Sequence, residues 1–174
     1  LLLLLRDLHA ARFPVMWSGG DEGQNWALKG KLLFDVGALG SEYARRLAAF
    51  PWSNPDYPLL NPLLQVWTHA HAGAIVHVEN RFPIQLASLA LLVLLAAALR
   101  RYVRPWVAAV LLLILFEAGE LATLTTAAGA DALVALGLLA SCECALRWRR
   151  TGEARWFRAA ALALTFLVWT KNEG

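Results

Sequence analysis

Two adjacent acids, Asp21 and Glu22, follow a Gly-Gly pair in VMWSGGDEGQN and open a stretch of helical periodicity. A carboxylate held at a helix start, beside Trp17 at a membrane surface, can accept a proton from a hydroxyl and so act as a general base. Asp is also a favoured N-cap, and the two roles are compatible. Glu22 would support or orient Asp21, or simply sit well in the first helical turn, where acids complement the helix dipole.

Other chemistry-bearing residues are scattered along the chain. Asp131 follows the small-residue turn TTAAGAD, as a helix cap or as part of a site. Lys171, with Asn172 and Glu173, ends an apolar run. It reads as a lysine snorkelling to the interface or as a cation holding a phosphate. Lys29, Lys31 and Arg81 are candidates for the same task, or ordinary surface and headgroup charges. Glu117 and Glu120 share a helix face inside an apolar stretch. An acid there is costly and is expected to face a polar cavity, although Glu120 is near enough to the interface to be solvated. Glu143 lies close to arginines and is expected to pair with one. His69, His71 and His77 are spaced by two and six, so no single helix face carries all three, and no acid is interleaved. A polar or interfacial role fits them better than metal ligation. Cys142 and Cys144 lie in an apolar run, which points to helix packing rather than a disulfide or zinc site. No phosphate loop, nucleophile elbow or zinc-protease pattern is present.

These residues need elements to hold them. Asp21 to Phe34 reads as an amphipathic helix with Trp26, Leu28, Leu32 and Leu33 on one broad face, broken at Gly37 and Gly40. Ser41 to Phe50 reads as a second short helix with Ser41 as N-cap. Four prolines in the twelve residues of PWSNPDYPLLNP exclude a regular helix there. Leu63 to His71 reads as a third short helix in or near the membrane surface. Membrane spans are expected over about 83–99, 105–124, 127–146 and 159–170. The class is therefore all-α: a multi-span bundle with amphipathic juxtamembrane helices in a large loop, 15–83.

Composition agrees. The chain of 174 residues is 59% hydrophobic with a mean hydropathy of +0.50, whereas ordinary soluble domains run at about 45–50% apolar. Leu and Ala dominate, favouring helix over strand, and the eight Trp suit membrane interfaces. The basic residues do not form an aromatic-rich polar patch along the sequence, so no nucleic-acid partner is expected. The chain starts at Leu and ends at TKNEG, which reads as part of a longer protein. LLLLL would then be the end of a first span, residues 1–14 carrying it to an amphipathic exit. Eight of the sixteen basic residues fall within 100–104 and 147–158, and the positive-inside rule assigns both loops to the cytoplasm. Alternation then sends Asp21, Glu22, Asp131 and Lys171 to one extracytoplasmic side.

The order of these features resembles the C-type glycosyltransferases, which include the protein O-mannosyltransferases and the aminoarabinose transferase of lipid A. The shared pattern is a first span, then a large loop opening with Asp-Glu (GDEGQNWA). A proline-rich element before a short helix follows (NPDYPLLNPLLQVW), then an Arg before the next span (NRFPIQL). Asp131 at the start of the fourth span and a Lys at the end of the next (WTKNEG) complete it. The resemblance implies an inverting hexosyl or pentosyl transfer from a polyprenyl-phosphate-linked sugar to a protein, lipid or glycan acceptor. Asp21 would be the general base and Glu22 its support. Asp131, Lys171, Arg81, Tyr57 and Glu173 would line the substrate site. It implies a multi-pass protein of the bacterial inner (plasma) membrane with an extracytoplasmic site and no dinucleotide cofactor. No DxD-type metal site is present. The chain departs from the pattern where relatives carry a Lys or His before paired prolines: Asp56 and Tyr57 stand there, before the single Pro58. Bottom-up, the rival reading is a multi-span transporter with Glu117 and Glu120 lining a polar path.

Overall fold

A computed structural model describes residues 22–117 and 129–172, with the backbone alone at 22, 116 and 117. Residues 1–14, Asp21, Glu120 and Glu173 lie outside the described residues, as do the side chains of Glu22 and Glu117. The described residues are all helical, with no strand. A π-helical turn, Glu22–Ala27, leads into α1 (Leu28–Val36), followed by α2 (Ser41–Leu47). A 3-10 turn at Pro51–Ser53 precedes α3 (Leu60–Ala72). A second 3-10 turn, Glu79–Arg81, runs directly into α4 (Phe82–Leu99). Then come α5 (Pro105–Glu117), α6 (Asp131–Thr151) and α7 (Ala154–Thr170).

Some expected boundaries move. Helix α2 is capped by Gly40 rather than Ser41, and Ser41 is already its first helical residue. Its Glu42 carboxylate receives Arg45 (2.8 and 2.9 Å) and Arg46 (2.7 Å). Those two guanidinium groups, Arg45 first, hold its pKa down to about 2. Arg46 also pairs with Asp35 and so ties α2 back to α1. The arginine-rich stretch 147–158 is not a loop. Arg147, Arg149 and Arg150 complete α6, and Arg155 and Arg158 open α7. Arg is a good helix former and is favoured in a last turn, where it faces the negative end of the dipole. The connection shrinks to Gly152 and Glu153. Gly152 has φ +70° and its N–H closes on the Trp148 carbonyl at 2.8 Å, a left-handed cap that favours glycine.

Helices α6 and α7 therefore form a tight antiparallel hairpin, the most extensive helix pair in the fold. Gly137 sets their separation: a Cβ there would meet Leu167 Cδ2 at 2.8 Å and Phe166 Cδ1 at 3.2 Å. Helix α4 lies along α6. Ile84 and Ala87 near its start pack on Ala132 and Leu133, and Arg101 just past its end pairs with the buried Glu143. The expected Glu143–arginine pair is thus present, and α4 runs parallel to α6. Helix α5 packs lightly, on α4.

Helices α1, α2 and α3 form a separate cap. Leu33, Tyr43 and Leu47 make its core, with Leu59 and Val66 against them. The buried face differs from the expected one: Trp26 of the π-helical turn and Lys29, Gly30 and Leu33 of α1 carry it, while Leu28 and Leu32 are only half-buried. The cap joins the bundle at the end where α4 begins, through Leu64 of α3 beside Ile84 and Phe166.

Among the described residues one helix, Glu79–Leu99, is long and apolar enough to cross a membrane, and a shorter apolar helix covers Pro105–Leu115. Of the four expected spans, then, length and composition single out the first. Phe82, Leu86, Leu89 and Val93 form an exposed stripe along it, at the spacing of one helix face.

Gly137→Val is expected to destabilise the hairpin by about 1–3 kcal/mol through overpacking. Combining it with Leu167→Ala should cost less than the sum of the two single changes. Thermal unfolding of the purified protein in detergent checks both.

Candidate functional site

The site is built where the bundle meets the cap. Asp131 is the first residue of α6, one position inside the N-cap Ala130. Lys171 donates to its Oδ1 at 3.2 Å. The hairpin imposes this meeting, because it brings the start of α6 beside the end of α7. The next residue, Asn172, donates from Nδ2 to Asp56 Oδ2 at 3.3 Å and so links the helix ends to the proline-rich segment. The Asp131 side chain is 63% exposed and that of Lys171 22%. The carboxylate is open to solvent while the ammonium is mostly covered, so the pair marks where the two helix ends meet.

Beside Asp56, Tyr57 leans on Trp26 with ring centroids 5.6 Å apart. Beneath them lies Lys29, fully buried. Its Nζ is 5.7 Å from the Trp26 ring and 5.5 Å from the Tyr57 ring, and it donates to the Asn54 carbonyl at 2.5 Å. Asn54 has φ +44°, a left-handed conformation that Asn tolerates better than most residues. Burying an ammonium demands such compensation, so Lys29 is no surface charge: it ties α1 to the 54–57 turn. A signal for this was present in the sequence, since Lys29 follows Trp26 by three residues and shares its helix face.

The interior of the cap is polar. Asn61, Gln65 and His69 recur every four residues along α3, all fully buried. Gln65 donates to Asn61 Oδ1 at 3.1 Å and accepts from Asn80 at 3.0 Å. Gly30 lets α1 approach this stripe, as a Cβ there would lie 3.1 Å from Gln65 Cβ. Arg81, next to Asn80, is buried as well. Apolar periodicity does not reveal this stripe, whereas the spacing of four between Asn61, Gln65 and His69 is legible in the sequence.

The histidines take separate roles. His69 Nδ1 accepts the Val76 N–H at 3.2 Å, so the proton of the neutral ring sits on Nε2. That atom is buried with no hydrogen-bond partner among the described residues. Burial pushes the His69 pKa down, with Lys31 and His77 adding to the effect. His71 Nδ1 lies 2.8 Å from the Trp67 carbonyl, its ring stacked near Trp67. Burial also lowers the pKa of Lys31.

Of the residues singled out from sequence, Asp131, Lys171 and Tyr57 gather at this junction, with Asp56 and Asn172 completing it. Arg81 lies in the cap interior. The backbone turn that begins at Glu22 packs on the Pro51–Ser53 turn, and Asp21 and Glu173 lie outside the described residues. No family model, curated protein sequence or solved structure matches the chain.

His69 is held neutral in the fold, whereas an unfolded chain takes up its proton near pH 6.5. Its contribution to stability is complete above that value and is lost as pH falls through it toward the lower folded pKa. The thermal midpoint should therefore fall as pH drops below about 6.5, and His69→Gln should flatten that slope; thermal scans across pH measure it.

Proposed function

We propose that the chain is part of a multi-span membrane glycosyltransferase that takes its sugar from a polyprenyl-phosphate donor. One observation carries this reading: the Lys171–Asp131 pair is joined through Asn172 and Asp56 to the proline-rich turn, at the bundle end opposite the arginines. A lipid-linked donor cannot leave the bilayer, so its phosphosugar must react at the surface, where helix ends meet an amphipathic cap. The exposed apolar residues on α4, α5 and α7 support a surrounding bilayer, since patches that extensive on a soluble monomer are rare.

In this mechanism Asp21 accepts the proton of the acceptor hydroxyl or amine as that atom attacks carbon one of the sugar. The bond from carbon one to the phosphate oxygen breaks, the phosphate leaves with the electron pair, and the configuration inverts. The departing phosphate gains charge, and a nearby ammonium stabilises it. Lys171 suits this role because it stands at the helix-end junction beside the exposed Asp131 carboxylate. An incoming phosphate would take the place of Asp131 at its ammonium, and Tyr57 and Asp56 would border the sugar.

In the full-length protein, Asp21→Asn should lower sugar transfer from a polyprenyl-phosphate donor by about 10²-fold or more. Lys171→Met should lower it by a similar factor, while the thermal midpoint stays near that of the wild type. Transfer at the wild-type rate in Asp21→Asn would end the assignment.

A further inference from the structure

The opposite end of the bundle carries a feature unused by that chemistry. The stretches 100–104 and 147–158 hold eight arginines, and packing brings them together. Arg101 pairs with Glu143, which pins the first stretch against α6. Arg150 then lies over the Tyr102 ring at 5.5 Å and donates to its hydroxyl at 3.4 Å. Arg147 and Arg155 lie 4.5 and 5.3 Å from the Trp156 ring, and Arg155 also pairs with Glu153. Those contacts fix the frame. Four more arginines, Arg100, Arg104, Arg149 and Arg158, are exposed and have no acidic partner among the described residues. Arg100 follows directly on the last residue of the membrane-length helix Glu79–Leu99. With that helix in a bilayer, the collar sits at the level of the headgroups.

We propose that this arginine collar is a binding surface for the phosphates of anionic phospholipids. The charge complementarity is direct, because guanidinium groups match phosphate oxygens in geometry as well as sign. Basic residues at this position each add to the attraction for an anionic leaflet. The frame pairs hold their own arginines, and the four acid-free ones supply the headgroup contacts. The apolar stripe of α4 beside the collar selects a lipid over a soluble anion, since it lets acyl chains and phosphate bind together. The inference rests on the membrane reading above but is independent of glycosyl transfer.

The test reconstitutes the full-length protein in phosphatidylcholine nanodiscs with and without phosphatidylglycerol, and counts retained lipids by native mass spectrometry. The wild type should retain phosphatidylglycerol over phosphatidylcholine by roughly tenfold or more. A variant with Arg100, Arg104, Arg149 and Arg158 all changed to Gln, the Arg101–Glu143 pair left intact, should fall to near parity. Raised salt should weaken the wild-type preference in the same direction. An unchanged preference in the variant overturns the proposal, as does parity in the wild type. Displacement of the lipid by inorganic phosphate or by a single-stranded oligonucleotide also overturns it, in favour of a soluble-anion or nucleic-acid surface. Failure of the protein to enter the nanodisc bilayer would instead overturn the membrane reading itself.

Discussion

The close approach of α6 and α7 at Gly137 is the constraint on which the rest depends. A hydrogen in place of a side chain lets Leu167 and Phe166 settle against the α6 backbone. With the two-residue turn at Gly152 and Glu153, that contact fixes the register of the hairpin. Register in turn decides which residues face one another 40 positions apart in the chain: Asp131 and Lys171 at one end. At the other end the hairpin turn lets α4 dock in parallel, with Arg101 on Glu143. The molecule gains two chemically opposite ends, one mixed in charge and one strongly basic.

The cap obeys different physics. Its helices are short, with nine, seven and thirteen residues, and isolated helices of that length are marginal in water. They are held by a small apolar cluster around Leu33, Tyr43 and Leu47 and by a buried polar stripe in which amides bond to one another. Polar groups out of water are costly unless paired, so the stripe specifies one packing of α1 on α3 and disfavours alternatives. Lys29 extends that logic to the 54–57 turn, where a carbonyl and two aromatic rings surround the ammonium.

These two parts meet at one junction. The bundle supplies rigid helix ends, and the cap supplies a turn, Asn54 to Tyr57, whose position is set by buried contacts. Lys171 meets Asp131 at 3.2 Å and Asn172 meets Asp56 at 3.3 Å, so the end of α7 touches both the start of α6 and that turn.

Hydropathy and helix propensity act locally and survive in any packing, so the helical class, the long apolar helix Glu79–Leu99 and the clustering of charge along the chain are legible without the fold. The sequence also picked out Asp131 and Lys171 as groups on one side, and Glu143 as a partner for an arginine. That Ala130 takes the cap position and Asp131 meets Lys171 depends on hairpin register, which no local signal encodes. Tertiary packing likewise decides Lys29, which as a residue type belongs on a surface and is buried here because two rings and a carbonyl converge on it. The arginines of 147–158 carry the charge of a connection, yet they lie on two helix ends: helix propensity keeps all of them helical, and the dipole favours those in the last turn of α6.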